Sequence, residues 1–331
     1  MAHELYELSE GRKSIGYVGE VPWHGLGQQI EEDASLEVWA KQAGLDWTID
    51  KKPLLVDLNP EAAAKKQKRN LVEYFDRVAL VRSDNGQPLS IMSPRYQIVQ
   101  PAEILEFYRD LIDTAGFKMD TAGSVFHGKK IWALARIGKG VKIKGDELNG
   151  YLLLSTSCDG SLATTAQFTS VRVVCNNTLT MAVDRTNNRY AIKVPHHSKF
   201  NAEEVKMELG LANNAWGQFE EEVGALIGRR LRKREAVNVL IRAMGDPELE
   251  IDEQPNLRAM AKIIELFSGE GIGADMPTAK GTAWGLLNAA TQYADHSRVT
   301  RTQDSRLDSA WWGRWEMIKR RVFEECLAKA A

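Results

Sequence analysis

Apolar and polar positions change their pattern once along the chain. Between residues 77 and 195 the apolar residues come in short, often β-branched runs separated by turn residues, which predicts strands. Runs at 77–82, 89–92 and 96–99 are punctuated by Asp84-Asn85-Gly86, a hairpin-type turn, and by Pro94. Further runs lie at 125–126, 131–137, 151–157, 162–168, 171–174 and 190–194. Asp159-Gly160 is placed to close a hairpin between the runs at 151–157 and 162–168. Residues 176–183 suit a helical turn or a strand equally. One helix interrupts the series. Pro101 fits a first helical turn, where its missing N–H costs nothing, and Ile104, Leu105, Tyr108, Leu111 and Ile112 recur at helical spacing up to Ala115.

From Asn201 the period lengthens to that of helices. Trp216, Phe219, Val223, Ile227, Leu231, Val237, Leu240, Ile241 and Met244 form one stripe. Leu257, Met260, Ile264 and Phe267 form a second, which Gly269 ends. A third helix is expected over 278–296, and Leu307, Trp311, Trp315, Ile318, Val322 and Cys326 mark a last one. The acidic stretch 245–255 and the glycine-rich stretch 269–277 read as linkers, and the Ala/Lys-rich 62–69 as a solvated helix end or loop. The pattern predicts an α+β protein with a central, mostly antiparallel sheet, an inserted helix and a helical C-terminal region. Its expected organisation is an N-terminal segment, 1–70, packed on the core, a β-rich core, 70–200, and a helical region, 201–331.

Composition narrows the classes. The 331 residues include 43 Lys+Arg against 45 Asp+Glu, a net charge of −2, with 44% hydrophobic residues, which excludes a disordered chain and a uniformly basic surface. A local basic patch stays open. No run approaches the roughly 20 apolar residues that span a bilayer. Residues 1–20 carry four Glu and no apolar stretch of the kind a secretory signal needs. Cys158, Cys175 and Cys326 have no close-spaced pairing, as for reduced thiols. These features predict a cytoplasmic protein without a membrane partner.

Candidate chemistry is sparse. Gly123-Ser124-Val125-Phe126-His127-Gly128-Lys129-Lys130 nearly spells a phosphate-binding loop, but Lys130 stands where Ser or Thr should hold Mg²⁺. The residues after it alternate as a strand does, so a hairpin turn with two lysines is expected. Gly269-Glu270-Gly271-Ile272-Gly273 follows no strand and reads as a flexible link. The six histidines (His3, His24, His127, His196, His197 and His296) include no i, i+4 pair and no accompanying CxxC, so no metal and no cofactor is expected. A hydrolase would have to be built around His24, His197, Cys175 or Asp159, with His197 as base to a Cys175 thiolate. Cys175 ends an apolar strand, the ordinary setting of a structural thiol.

Basic residues say more. Arg229, Arg230, Arg232, Lys233 and Arg234 put five positive charges into six residues. On one continuous helix Arg232 and Lys233 would face away from the apolar stripe, while Arg230 and Arg234 would fall within it. Either the helix breaks near Gly228 and the arginines are solvated, or that pair meets an anionic partner. Arg298, Arg301, Arg306, Arg314, Arg320 and Arg321 form a second stretch, interleaved with Trp311, Trp312 and Trp315. Arginine beside aromatic rings suits nucleic acid, although tryptophans at helical spacing also suit a core. Lys129, Lys130 and Arg172 would line the sheet side of a groove. The candidate nucleic-acid contacts are therefore Arg229, Arg230, Arg232, Lys233, Arg234, Lys129, Lys130, Arg172, Arg298 and Arg301.

Three strings carry a resemblance. They are Pro22-Trp23-His24-Gly25-Leu26-Gly27, Val171-Arg172-Val173-Val174-Cys175-Asn176-Asn177-Thr178-Leu179 after the Asp159-Gly160-Ser161 turn, and Thr282-Ala283-Trp284-Gly285-Leu286-Leu287-Asn288-Ala289 running on to Tyr293 and Asp295-His296. In this order they resemble an uncharacterised family of phage- and plasmid-related proteins, a domain of unknown function found in mobile elements. The β-rich core followed by arginine-bearing helices is similar in outline to phage single-strand annealing proteins, which bind single-stranded DNA in a basic groove and assemble into rings or filaments. The resemblance implies single-stranded DNA binding and strand annealing in phage- or plasmid-borne recombination, by a homo-oligomer in the bacterial host cytoplasm, with no catalytic residue required. The alternatives are an interaction protein of a mobile element that blocks a host defence complex, and the hydrolase above.

Overall fold

Most of the expected β runs assemble as strands, joined by strands at 15–17, 28–29, 49–57 and 118–125 that the sequence reading did not foresee. The computed structural model describes residues 14–19, 27–59, 61, 69–143, 145–172, 177–180, 191–211 and 214–330. Several sequence readings fall outside these residues: His3, His24 and most of the string around it, residues 62–68, Cys175, and the undecided 176–183 apart from 177–180. The strands are β1 (Ile15–Tyr17), β2 (Gln28–Gln29), β3 (Ile49–Asp57), β4 (Leu71–Arg82), β5 (Pro88–Met92), β6 (Lys118–Val125), β7 (Lys130–Ile143), β8 (Asp146–Ser157), β9 (Thr164–Arg172), β10 (Asn177–Thr180) and β11 (Ala191–Val194). The larger sheet runs β10-β9-β8-β7-β6-β1-β2, with β11 also pairing β9. Among the described residues its pairings are antiparallel except β1 with β2. The fold is α+β, as the pattern predicts.

Both faces of this sheet are covered, so β8 is buried almost without interruption instead of alternating. Ile131, Ala133, Ala135, Leu152 and Leu154 face the main core. Trp132, Leu134, Tyr151 and Leu153 face a second cluster with Ile15, Val125, Trp311 and Trp312. The expected helix over 101–115 forms as two short helices, α1 (Leu36–Gln42) being the first of the chain and α2 (Pro101–Glu106) and α3 (Arg109–Ala115) these two. They part at Phe107-Tyr108. The Tyr108 side chain is wholly buried, and its hydroxyl accepts the Leu154 N–H at 2.8 Å. The same oxygen lies 2.8 and 2.9 Å from the carbonyls of Ala133 and Leu152, one of which takes its proton. The run at 96–99 is irregular, not a strand: the Gln97 N–H donates to the His196 carbonyl and the Tyr96 hydroxyl to that of Ser157.

The smaller sheet, β3-β4-β5, continues beyond β5 as a two-stranded ribbon. There Leu55, Val56, Leu71, Val72, Tyr74 and Phe75 are exposed, Phe75 by 77%.

The helical region contains α4 (Ala202–Leu211), α5 (Asn214–Gly228), α6 (Lys233–Met244), α7 (Leu257–Glu265), α8 (Ala283–Gln292), α9 (Gln303–Trp311) and α10 (Arg314–Ala330). The single stripe expected over 216–244 is broken between α5 and α6, so Arg229, Arg230 and Arg232 lie on the break, while Lys233 and Arg234 open α6. α8 is buried on every side, from Ala283 through Gln292, as a helix apolar all round must be. Thr282 caps it, its hydroxyl accepting the Gly285 N–H at 3.0 Å. Gly285 is needed there, because a Cβ would lie 1.8 Å from the Ala279 carbonyl oxygen. Asp146, at the start of β8, accepts from Thr278 Oγ1 at 2.9 Å and from Trp284 Nε1 at 3.1 Å, which ties the sheet to α8. α10 packs along α8 with Trp315, Ile318, Val322 and Phe323 buried. Each fully buried Leu or Phe here is worth about 1.5–3 kcal/mol. Among the described residues no helix is long and apolar enough to cross a membrane.

Candidate nucleic-acid interface

The structure gathers the candidate cations at separate places. The first is the corner between α5 and α6. Two backbone bonds clip it to the start of α8: the Leu231 N–H donates to the Gly281 carbonyl at 3.0 Å, and the Arg229 carbonyl accepts the Ala283 N–H at 2.9 Å. Leu231 is buried, and the neighbouring Arg230, Arg232, Lys233 and Arg234 are turned to solvent. Glu235 closes the first turn of α6 by accepting the Arg232 backbone N–H at 2.8 Å. That N–H, with the charges of Arg229, Arg232 and Lys329, holds the Glu235 carboxyl below its ordinary range. Arg229 pairs with Glu235 at 3.1 Å, and Arg230 donates to the Lys280 carbonyl. Among the described residues Arg232, Lys233 and Arg234 form no ion pair.

The second place lies at the other end of α8. A π-helical turn, Tyr293–Ser297, follows α8, and the Arg298 N–H closes it on the Tyr293 carbonyl at 2.9 Å. The half-buried Arg298 guanidinium lies over Trp315, Cζ to ring centroid 5.8 Å, and Trp315 packs on Tyr293 at 5.0 Å. Arg306 of α9 donates to the His296 carbonyl, and Arg314, the first residue of α10, donates to Asn256 Oδ1 at 2.8 Å. Burial first, then the charges of Arg306 and Arg314, lowers the Arg298 pKa. Burial lowers that of Arg306 as well. Arg301 is exposed on the loop that follows. Ten helical residues at about 1.5 Å each put these two places about 15 Å apart.

The sheet residues lie elsewhere again. Lys130 is buried, ion-paired with Asp308 of α9 and 5.7 Å from the Trp312 ring centroid. Its neighbour Lys129 is half-buried, at the end of a 3₁₀ turn (Phe126–Gly128) in which Phe126 and His127 have positive φ. That turn leans on α9, where Asp304 Oδ2 accepts the Phe126 N–H at 2.6 Å. A strand and not a helix follows, so the near-match to a phosphate loop has no helical N-terminus behind it. Along β8, Lys130 stands opposite Ser157 and Arg172 opposite Leu148. Nine residues at about 3.3 Å place them about 30 Å apart.

Arg306 and Arg314 join Arg298 without having been among the candidate contacts. Their spacing of eight residues is visible in the chain, but nothing local says that a π-turn, α9 and α10 bring them together.

Of the groups named for a hydrolase, His24 and Cys175 lie outside the described residues. Burial pushes the Cys158 thiol up to about 12, so it is protonated beside Asp159. His197 is exposed. His196 stacks on Tyr96 at 4.6 Å, with its ring nitrogens 3.2 and 2.9 Å from the Gln97 and Leu162 carbonyls. Among the described residues no group of three His, Cys, Asp or Glu side chains could hold a metal.

Residues 88–311 match a protein family described as Domain of unknown function (DUF932). The match runs from β5 through α9 and so takes in the α5–α6 corner and Arg298, but neither the β3–β4 ribbon nor α10. No curated protein and no solved structure matches the chain.

Proposed function

We propose, for a chain that belongs to the DUF932 family, that it binds single-stranded DNA through the phosphates. The observation that carries the reading is the run Arg232-Lys233-Arg234, exposed and without ion pairs among the described residues, on a corner clipped to α8. Cations held at fixed spacing can track a phosphate backbone and leave the bases free to pair, which is what strand annealing requires. Arg230 flanks the run. Lys130 takes no part, because its ammonium is committed to Asp308. Phage- or plasmid-borne recombination in a bacterial cytoplasm is the setting this function would serve. The exposed apolar ribbon of β3 and β4 supports the further expectation of a homo-oligomer: a two-stranded ribbon is marginal alone in water, and a second copy would cover it.

The test is binding of a single-stranded oligonucleotide across a salt series. Each phosphate contact to a single strand contributes about −0.7 to the slope of log K against log salt. Replacing Arg232, Lys233 and Arg234 together by Ala should flatten that slope by about 2. An unchanged slope, or no salt-sensitive binding by the native protein at about 50 mM salt, sinks the proposal.

A further inference from the structure

We propose that the ribbon of β3 and β4 docks into the groove between α6 and α7 of a second copy of this chain, so that copies join head to tail. The inference rests on the homo-oligomer expected above and names the surface that receives the ribbon. A large irregularity lies at the base of the ribbon. Val78 stands opposite Pro53 and Glu73 opposite Leu55, so four residues of β4, Tyr74-Phe75-Asp76-Arg77, stand against Leu54 alone. Such a bulge bends the strand and re-aims its side chains. It also spoils the free edge for pairing with another strand. What the ribbon offers a partner is therefore side chains: Tyr74 and Phe75 at the bulge, with Leu55, Val56, Leu71 and Val72 beyond it, all exposed. An aromatic side chain that enters a pocket is a strong anchor.

The same chain carries a complementary surface. α6 and α7 leave a groove of about 540 Å³, lined by Val237, Ile241, Met260 and Ile264 and edged by Ile251 and Leu257. Ile251 is 61% exposed and Leu257 is exposed as well, an apolar rim that gains by leaving water. The volume is that of a site for a compact, mostly apolar group. The charges match too. The stretch 246–253, which brings Ile251 to the groove, has five acids and no base, and all five acids are exposed. Glu265 and Glu270 also line the groove and share Lys262, each at 2.8 Å. Lys233 is the one base among the lining residues. On the ribbon side, the chain between β3 and β4 holds Lys65, Lys66, Lys68 and Arg69 against Glu61. A ribbon laid in the groove leaves that basic segment to meet the acidic stretch, and opposite charges across an interface fix its register. Ribbons meeting tip to tip would set two basic segments together, which is repulsive. Two different patches of one chain that fit each other make a heterologous contact, which passes from copy to copy.

The experiment is sedimentation velocity of the full chain over a range of concentrations, with two substitutions at exposed positions. Phe75→Ser removes the anchor. Ala261→Arg, on an exposed wall of the groove, blocks the receiving surface and keeps a good helix former in α7. The native protein should build species larger than a dimer, and each variant alone should stay monomeric. An equimolar mixture of the two variants should form a dimer and nothing larger, because one intact ribbon then meets one intact groove. A mixture that stays monomeric overturns the proposal. So does assembly lost in Phe75→Ser but kept in Ala261→Arg, which leaves a homo-oligomer joined through the ribbon to some other surface. A native protein that is monomeric at every concentration overturns the homo-oligomer and this docking together. Added salt should weaken the native association severalfold, since the matched charges are exposed and screened; an association that salt leaves unchanged overturns the match. Oligonucleotide binding is read separately by the salt series above, so its failure and the failure of the docking are told apart.

Discussion

The two arginine clusters at the ends of α8 differ in what surrounds them. At the α5–α6 corner the cations stand in water, where they cost little and can be screened. At the π-turn Arg298 is partly withdrawn from water beside two like charges, and neither its Nε nor its Nη2 has an acceptor. The first arrangement suits a long polyanion that displaces counterions. The second carries a standing cost of desolvation. Basic residues thus mean different things according to their desolvation.

Breaking a buried charge that does have its partner should give the largest effect. Lys319→Met takes the buried cation away from Asp295, and urea unfolding should show a loss of about 3–5 kcal/mol. A loss below about 1 kcal/mol would mean that burial is not what distinguishes the clusters.

The same rule applies to an anion at Asp120. Burial pushes its carboxyl from 3.8 up to about 6, against the pull of Arg136 and the Tyr151 hydroxyl. Between those values the folded state keeps a proton that the unfolded chain releases, so this group adds stability as pH falls through 6 toward 4. At pH 7 the ionised form costs on the order of 3 kcal/mol. Asp120→Asn should therefore stabilise the protein at pH 7 and flatten its stability profile between pH 4 and 6; denaturant midpoints measured across that range decide it.

Smaller still is the expected effect at the corner. A fourfold rise in salt should weaken oligonucleotide binding by the native protein about 15-fold more than binding by the Arg232/Lys233/Arg234→Ala variant. Folding stability should hardly differ between them. Arg298→Met should be neutral or stabilising by up to about 1 kcal/mol, because it removes a desolvated charge whose Nε and Nη2 have no acceptor. A loss of several kcal/mol there would show that the native fold already satisfies the guanidinium.

Much of the fold was legible because its local signals agree with its packing. The runs at 131–137, 151–157 and 162–168 became β7, β8 and β9, and Asp159-Gly160 lies at the turn between the last two. The ribbon was not legible: Lys51, Lys52 and Pro53 interrupt β3, and its apolar residues are exposed and obey no core pattern. The helix break at 229–232 was one of two open readings, and the bond from Leu231 to Gly281, fifty residues on, decides it. Site geometry was the least legible part. Lys130 meets Asp308 across 178 residues, and the convergence of Arg298, Arg306 and Arg314 depends on a π-turn for which the sequence shows no signal.

The sheath around α8 has a practical consequence. α10 supplies one side of that sheath, with Trp315, Ile318, Val322 and Phe323, and all four lie past residue 311, where the family match stops. A fragment trimmed to the matched boundaries would leave a helix apolar on every side with one flank bare, and it would clump. A soluble minimal unit has to reach through the last helix, whatever boundary the family match suggests.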